Sequence, residues 1–388
     1  MGRKDCRKDS GYNIERIQPI TMKILVITQH IFPIQTPRSI RSTELIKELA
    51  RRGHDVTVYA VLGKYDYSSF EKETGIKVKG IPIRWEVLPT SSDGPSKRNF
   101  IDKVMGRLFR RFEFPLFEFY YRVPEIIASE SQYDVLISIA VPHQIHWGCA
   151  NAKIKYPEKF PKCWIADCGD PYMKNGKTKE HLPRYAKYER LFCEECDYIT
   201  VPIENAKEAY YSEYRDKIRV IPQGFDFDLS AVGQKQVHND VPTFAFAGMF
   251  YPDIRNPKLF LDYLCSLNRD FRFYVYTRFD NLLVDYKERL KGKMIIKSPV
   301  PRKELIDIMS GMDFLVNISN VNSPNQLPSK LIDYGISGRP ILDVNPINPN
   351  TNQIDEFLSG DYSSALKIAN LEDYHIGNVV DKFEALFS

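Results

Sequence analysis

The side chains best suited to bind a charged ligand are concentrated between Asn322 and Leu342. A loop rich in asparagine and proline precedes Ser329, which is suited to cap the N-terminus of a short helix. Lys330 adds a positive charge there, and Asp333 follows one turn later on the same face. Because the first turn of a helix offers unpaired N–H groups and the positive end of its dipole, this arrangement suits an anion, with Asp333 spaced to meet a sugar hydroxyl. The alternative is a surface helix whose lysine and aspartate are solvated.

This segment resembles the nucleotide-sugar loop of GT-B glycosyltransferases, in particular the large retaining family four and its members that build bacterial surface polysaccharides. Asp333 stands where the second glutamate of that family's Glu-x7-Glu pair is found, whereas Asn325 replaces the first, so that acid is missing. The family pattern resembles P-S-K-L-x-E-Y-x-x-x-G-x-P-I, and the matching residues here are Pro328, Ser329, Lys330, Leu331, Tyr334, Gly338, Pro340 and Ile341.

Length and composition restrict the class of protein. The chain has 388 residues, of which 43% are hydrophobic and 27% charged, so we expect two globular domains. A net charge of only +4 argues against a dedicated nucleic-acid binder. No apolar run reaches the ~18 residues of a membrane span. Residues 1–21 are charged and lack the apolar core of a secretory signal, so we expect a flexible leader.

The seven cysteines do not form a spaced framework. Cys193 and Cys196 make a single C-x-x-C in a stretch that we expect to be helical, with no second pair beside it. We interpret this pair as structural rather than metal-binding or redox-active. A cytoplasmic, reducing setting fits this usage of cysteine.

The first part of the chain predicts a βαβ unit. Residues 23–28 and 56–62 are short, β-branched apolar runs typical of buried parallel strands, and residues 39–52 predict an amphipathic helix between them. The loop lacks G-x-G-x-x-G, so the dinucleotide fingerprint is absent. Arg38 and Arg41 lie where the loop meets the helix and could hold a phosphate or an anionic acceptor; the alternative is two surface arginines. The unit resembles the opening of the family-four transferases, in which such a loop ends in arginine and G-H-x-V-x-V follows the helix.

Two further strands are expected to end in polar loops. Residues 134–140 are followed by His143, and residues 163–168 are followed by Asp170. Because ligands bind at the carboxyl ends of strands in open α/β sheets, both side chains are site candidates; a helix cap at Asp170 and a structural histidine are the alternatives. The segment I-A-D-C-G-D-P-Y resembles the D-x-x-D-P-W of the polysaccharide-building subgroup. Other family members carry a histidine near Gly169, and Asp170 is the nearest ionisable residue here.

A second domain is expected after a polar linker. Residues 218–226 resemble the segment that closes the first domain of these transferases, and residues 229–240 predict the linker. Residues 243–249 open a second βαβ set. The segment that follows resembles the family's diphosphate site, in which Gly248 would allow close backbone approach and Arg255 would neutralise phosphate. Apolar runs predict further strands at 271–276, 294–297 and 314–318.

Residues 97–122 mix basic side chains with phenylalanines. This mixture at helical spacing suits the surface of an anionic bilayer. In enzymes of the family that the chain resembles, the first domain docks on the membrane to reach a lipid-linked acceptor. The alternative is an ordinary helix whose aromatic side chains pack inward and whose charges are solvated.

From the residues and the resemblance we predict an α/β protein with the GT-B fold, in which two Rossmann-like domains face each other across a cleft. The predicted parts are a leader over residues 1–21, an acceptor domain over 22–228, the linker over 229–240, a nucleotide-sugar domain over 241–370, and a helix over 371–388 that crosses back onto the first domain.

The predicted function is transfer of a sugar from a nucleotide-sugar donor to a saccharide or lipid-linked saccharide in polysaccharide or glycan biosynthesis. The enzyme would be cytoplasmic and peripheral to the inner face of the cell membrane. Arg255 and Lys330 would stabilise the leaving nucleotide in place of a metal, so no metal or other cofactor is expected. The resemblance implies retention of anomeric configuration. The assigned residues are Asp170 and Arg41 for catalysis, Arg38 and His143 for the acceptor, and Gly248, Arg255, Asn325, Ser329, Lys330 and Asp333 for the donor.

Three alternatives stay open. A nucleotide-sugar 2-epimerase shares the architecture and would turn over the donor without any acceptor. A binding-only relative is suggested by Asn325 and Gly169, where the family carries ionisable groups, and would bind nucleotide tightly without turnover. A non-enzymatic membrane-surface protein built around residues 97–122 would bind liposomes without binding nucleotide.

Overall fold

The computed structural model describes most of the chain. The described residues are 21–84, 109, 111–130, 132–169, 171–173, 182–233, 235, 237, 239–321, 329–368 and 370–387.

The first domain is built on a parallel sheet. Among the described residues this sheet has seven strands in the order β3-β2-β1-β4-β5-β6-β7, and all neighbouring pairs are parallel. The inner strands are short and largely buried because helices cover both faces of the sheet, whereas the edge strand Lys77–Gly80 is mostly exposed. Their bounds are β1 Lys23–Ile27, β2 Asp55–Ala60, β3 Lys77–Gly80, β4 Val135–Ile139, β5 Cys163–Asp167, β6 Tyr198–Val201 and β7 Ile218–Val220.

Alternate residues of each strand face two different helical layers. In β1, Leu25 and Ile27 belong to the core formed with α3, α4 and α5, whereas Ile24 and Val26 belong to the core formed with α1. The period of two follows from the pleat of the strand. The helices of this domain are α1 Pro37–Arg51, α2 Ser68–Thr74, α3 Glu118–Ser129, α4 Gln144–Lys155 and α5 Ala186–Glu195.

The second domain repeats the plan on a smaller scale. Its described strands form a five-stranded parallel sheet in the order β10-β9-β8-β11-β12. The strand bounds are β8 Thr243–Ala247, β9 Arg272–Tyr276, β10 Met294–Lys297, β11 Phe314–Ile318 and β12 Ile341–Val344. The helices that follow are α6 Lys258–Ser266, α7 Val284–Arg289, α8 Arg302–Ser310, α9 Ser329–Ser337, α10 Thr351–Leu358 and α11 Ile376–Glu384.

The last helix, α11, packs on the first domain. Val380 and Phe383 are fully buried in the core that contains α1 and β1. Arg52, which follows α1, donates hydrogen bonds of 2.6 Å to Asp381 and to Glu384. The end of the chain therefore joins the two domains through buried apolar surface as well as through the covalent linker.

Two short segments of the first domain are 3-10 turns. Pro183–Tyr185 leads into α5, and Glu204–Ala209 follows β6. Helix α9 continues through Gly335 and ends before Gly338, whose φ of +69° is a backbone conformation that favours glycine.

No described helix combines the length and the apolar character that crossing a membrane would require.

Candidate functional site

The carboxyl ends of β8 and β11 meet the first turns of α9. Tyr334 of α9 fixes this meeting, because its hydroxyl accepts a hydrogen bond of 2.8 Å from the N–H of Ala247 and donates to the carbonyl of Val316 at 3.2 Å. Gly248 comes directly after β8 with a φ of +137°. A Cβ built at that position would lie 3.9 Å from Cδ of Lys330, so the glycine backbone and the lysine stem are neighbours.

Lys330 presents a buried ammonium group at this point. Its Nζ is shielded from solvent and has no hydrogen-bond partner among the residues that the structure describes. The same Nζ lies 4.6 Å from the centroid of the Phe246 ring, a cation–π contact. A charge in this position is satisfied by a ligand that brings an anion to it.

Arg255 supplies a second cation from the segment between β8 and α6. Its Nε and Nη2 donate to Oδ1 of Asn320 at 3.0 and 2.7 Å, and its Nη1 donates to the carbonyl of Met249 at 3.3 Å. Asn320 follows β11, so the guanidinium is anchored to the same edge of the sheet that carries Lys330. None of these acceptors carries a charge, so the positive charge of Arg255 is oriented but not neutralised by them.

The two cations influence each other. Burial lowers the pKa of Lys330 well below its usual range, the charge of Arg255 lowers it further, and only Asp343 opposes these effects. Burial also lowers the pKa of Arg255. Asp343 itself accepts hydrogen bonds from Asn317 at 2.5 Å and from Ser319 at 2.7 Å, which hold it at the ends of β11 and β12. A diphosphate placed between Lys330 and Arg255 would relieve both desolvated charges.

Asp333, expected to bind a ribose, is paired with a residue of α8. Its Oδ1 accepts from Nε of Arg302 at 2.8 Å, and the pair is mostly buried. Burial raises the pKa of Asp333, and Arg302 opposes that rise. The guanidinium of Arg302 also lies 4.2 Å from the ring of Phe225, in the segment that leaves the first domain. In this structure the carboxylate therefore contributes to the contact between the domains, and its ribose role stays a prediction.

Three assigned residues cannot be placed. Asp170 and Asn325 lie outside the described residues. Ser329, which was expected to be the N-cap, is the first residue of α9, and its side chain is not among the described ones.

In the first domain, Arg38 reaches the carboxyl end of β5. A Cβ built on Gly169 would lie 1.0 Å from Nη2 of Arg38, which means that the guanidinium occupies the space where a side chain at position 169 would begin. Arg38 can take this position only because Gly169 has no side chain. This places a half-buried arginine at the edge of the sheet where an acceptor was expected.

Arg41 does not have the surroundings expected of an acceptor-facing catalytic residue. It is 3% exposed, and its Nε and Nη2 donate to the two oxygens of Asp167 at 2.6 Å each. Its Nη1 donates to the carbonyl of Pro222 at 2.6 Å. These contacts tie α1 to β5 and to the segment after β7, so the guanidinium supports the domain core. The sequence could not show this because Asp167 is 126 residues away.

His143 is also enclosed. It is 5% exposed and lies edge-on to the rings of His146 and Tyr172, with centroids 5.9 and 5.6 Å away. It stands at the carboxyl end of β4 as predicted, yet little of its imidazole is available to an acceptor. His146, next to it, is held between Ser138 and Cys168, and burial lowers its pKa well below the usual range.

The cysteines of the C-x-x-C are buried in the core beside α5. Burial raises the pKa of Cys196 to about 12 and raises the pKa of Cys193 as well. Thiols in this state are poor nucleophiles and poor metal ligands. Within the described part of the chain, no group of three or more His, Cys, Asp and Glu side chains is placed to hold a metal ion.

The residues that sequence reasoning missed lie after β11. Asn320 orients Arg255, and Asn317 with Ser319 orients Asp343. The available signal was the run N-I-S-N at the carboxyl end of a buried strand, where polar side chains commonly face a ligand.

Comparisons with known proteins agree with this architecture. The family model described as Glycosyltransferase Family 4 matches residues 40–229. A comparison with curated proteins gave no match. Among solved structures, Anabaena HepE in complex with UDP superposes with a TM-score of 0.59 at 9% identity, covering 94% of this chain and 99% of HepE.

Two further solved structures extend the comparison. The lipopolysaccharide outer core galactosyltransferase WaaB gives a TM-score of 0.54 at 11% identity, over 93% of this chain and 100% of WaaB. The catalytic domain of starch synthase IV from Arabidopsis thaliana, bound to ADP and acarbose, gives 0.55 at 11% identity, over 95% of this chain and 99% of that domain. At these identities the likeness shows the fold.

Two parallel sheets in two domains and the likeness to HepE and WaaB show that the chain has the GT-B fold, and its residues 40–229 match the Glycosyltransferase Family 4 model. The predicted fold class and the resemblance to GT-B glycosyltransferases are confirmed.

Proposed function

We propose that the protein binds the diphosphate of a nucleotide-sugar between Lys330 and Arg255 and transfers the sugar to an acceptor held by the first domain. The observation that carries this proposal is the buried Nζ of Lys330, which has no hydrogen-bond partner among the described residues and lies beside a second desolvated cation.

The cations have a clear role in the chemistry. When the bond between sugar and nucleotide breaks, negative charge develops on the leaving diphosphate. An ammonium and a guanidinium that are already in place stabilise that charge without reorganising. Gly248 lets the diphosphate approach the backbone after β8, since no Cβ stands in the way. Both groups bind the donor and stabilise the departing nucleotide.

The structures with a similar fold support a nucleotide donor. HepE was solved with UDP, with UDP and glucose, and with UDP-glucose, and starch synthase IV was solved with ADP. UDP is therefore the first nucleotide to test, and ADP and GDP are the comparisons. WaaB is a galactosyltransferase of a lipopolysaccharide core, which is consistent with a saccharide acceptor carried by a lipid.

On the acceptor side, Arg38 is the assigned residue whose described position fits best. Its guanidinium lies over Gly169 at the carboxyl end of β5, next to position 170. We place the acceptor against this edge and assign Arg38 to bind it. Asp170 is proposed to act beside it on the basis of sequence alone.

The proposal includes a reaction that needs no divalent metal and that retains the anomeric configuration. Lys330 and Arg255 supply positive charge at the diphosphate, which supports the first part. The resemblance to the retaining family supports the second. Activity should survive EDTA, and an activity that EDTA abolishes and only Mg²⁺ or Mn²⁺ restores would reject metal independence. By NMR, the anomeric proton of the product should show the same configuration as the donor, and an inverted product would reject retention.

We also propose a cytoplasmic enzyme that is peripheral to an anionic membrane. This rests on the composition of residues 97–122, of which 97–108 and 110 lie outside the described residues. The protein should sediment with anionic liposomes at low salt and less at high salt, since the electrostatic part is screened. If folded protein stays in the supernatant at low salt, a soluble acceptor becomes the better proposal.

The donor proposal is tested by thermal denaturation with a panel of UDP-, GDP- and ADP-sugars. At least one should raise the melting temperature, because a ligand that binds only the folded state stabilises it. Transfer from that donor to an extract of cell-envelope lipids would then establish turnover. The proposal fails if no nucleotide-sugar or free nucleoside diphosphate stabilises the protein at millimolar concentration.

A further inference from the structure

A cavity of about 770 Å³ opens in the first domain, on elements separate from the Lys330–Arg255 pair. Arg84, shortly after β3, lines one side. The turn at 111–117 leading into α3 and the turn at 182–185 leading into α5 line the others. Each of these connections lies at the carboxyl ends of the parallel strands, so the cavity opens at the edge of the sheet where the acceptor is proposed to bind.

The walls of this cavity are mainly aromatic. At its rim, the rings of Phe112, Phe114 and Tyr121 are 46%, 41% and 58% exposed, which is unusual for large apolar side chains in one place. Deeper in the wall, Tyr185 and Tyr188 stack on the buried Trp147 with centroids 5.7 and 5.1 Å apart. The inner wall is therefore rigid, while the rim offers apolar surface to whatever approaches it.

The charged groups in the wall are mostly basic. Those described are Arg84, Arg122, Arg184 and Lys187, against the one carboxylate of Glu118. Arg122 is engaged with that carboxylate at 3.3 Å. Arg184 instead lies over aromatic rings 5.0 and 5.2 Å away, and Lys187 over a ring 5.0 Å away. No carboxylate of the described residues pairs with Arg184 or Lys187, so the cavity carries uncompensated positive charge.

These features select one kind of ligand. A free saccharide needs paired hydrogen-bond donors and acceptors, and the only carboxylate in the wall already accepts from the Arg84 N–H at 2.8 Å and from Arg122. A small soluble anion would leave the rim rings in water. A lipid phosphate satisfies both parts, because its head pairs with the cations and its chain covers the rings.

We propose that this cavity binds the phosphate head and the first part of the chain of a lipid phosphate. In the proposed function this lipid carries the acceptor saccharide, so the inference rests on that function. Binding of the lipid can nevertheless be measured separately from sugar transfer. The turn at 111–117, which forms the rim, lies close to the strand ends where the acceptor is proposed to bind. Glu113 within it accepts hydrogen bonds from Tyr172 at 2.6 Å and from Gln144 at 2.7 Å, residues that follow β5 and β4. The bound head would thus lie beside the strand ends that face the acceptor.

The test uses farnesyl phosphate below its micelle concentration, with inorganic phosphate as the head alone and farnesol as the chain alone. By calorimetric titration, farnesyl phosphate should bind at least about tenfold more tightly than either fragment. The double variant Arg184→Glu/Lys187→Glu should lose about tenfold or more of that affinity, because both cations become like charges to the phosphate. The matched control Lys72→Glu/Lys155→Glu reverses two exposed lysines outside the cavity and should bind as the wild type does.

A titration with UDP and a melting curve accompany each variant. Unchanged values show that the variant is folded and that the second domain is intact, and a wild type that binds farnesyl phosphate but no nucleotide would count against the proposed function alone. The cavity proposal is overturned if farnesyl phosphate and inorganic phosphate bind equally, or if the cavity variant binds as tightly as the control. It is also overturned if only phosphatidylglycerol vesicles bind, since the face would then be a membrane-docking surface without a lipid site.

Discussion

The proposed donor site depends on Lys330. A buried ammonium favours its neutral form unless an anion is near, and Arg255 strengthens that tendency. The free protein therefore holds this group ready for a diphosphate. Lys330, Arg255 and Gly248 could be named as site candidates from sequence because the motif around each is local. The surroundings of Arg41 and Asp333 could not be predicted from sequence, because their partners Asp167 and Arg302 are distant in the chain.

The lowered pKa of Lys330 predicts that donor binding takes up a proton. UDP-glucose is a suitable probe because its diphosphate diester does not titrate near neutral pH. A bound diphosphate raises the pKa of Lys330, so affinity is highest below the pKa of the free protein. It falls as the pH rises through that value, and it levels off above the pKa of the complex.

Calorimetry in two buffers of different ionisation enthalpy measures this uptake directly. The control is Lys330→Met, which keeps much of the stem but cannot ionise, and its affinity should vary little with pH. Equal pH dependence in the wild type and in Lys330→Met would show that another group is responsible.

At the scale of the elements, buried strands were the most predictable part. The expected strands at 294–297 and 314–318 have the observed bounds, because continuous apolar runs in parallel sheets leave little ambiguity. Short helical connections were less predictable. The Glu204–Ala209 segment, between β6 and β7, contains good helix formers but closes as a 3-10 turn.

The contact between β5 and the start of α1 predicts the effect of Gly169→Ala. The added Cβ would displace the guanidinium of Arg38, which can move because it is the far end of a flexible side chain. We therefore expect a small change in melting temperature and unchanged affinity for the nucleotide, together with a clear loss of kcat/KM for the acceptor.

The matched control is Gly80→Ala, where a Cβ would meet Leu62 at an ordinary 3.6 Å. If Gly169→Ala transfers sugar as well as that control does, the position of Arg38 over Gly169 has no role in acceptor binding.

In the whole molecule, the C-terminal helix α11 packs against the first domain. The two-domain plan follows from the length and from two sets of βαβ patterns, so sequence was sufficient for it. Which face of the first sheet α11 packs on could not be predicted from sequence, because that depends on how much of the face α1 covers. The structure shows Ile24, Leu45 and Phe383 in one core, which makes the last helix part of the first domain's stability.

Truncation of Phe383 to alanine should therefore destabilise the first domain. The side chain is fully buried, so the loss of transferred surface and the cavity together predict about 3–5 kcal/mol. Denaturant unfolding followed by the fluorescence of Trp147 and Trp164, both in the first domain, measures this change. The half-buried neighbour Asn378 provides the control, and Asn378→Ala, which removes one hydrogen bond of 2.8 Å to the carbonyl of Glu372, should lose no more than about 1.5 kcal/mol. Equal stability of the two variants would mean that α11 does not contribute to the folded first domain.

Calorimetric titration with a nucleoside diphosphate measures whether Lys330 and Arg255 hold the diphosphate of the donor, as we propose. With UDP, or with GDP or ADP if the thermal panel favours one of these, Lys330→Ala and Arg255→Ala should each lose ~1.5–3 kcal/mol, about ten- to a hundredfold in affinity. Lys303→Ala, an exposed lysine of α8, should leave the affinity unchanged. If both site variants bind the nucleotide as tightly as Lys303→Ala does, the donor diphosphate does not lie between these two cations.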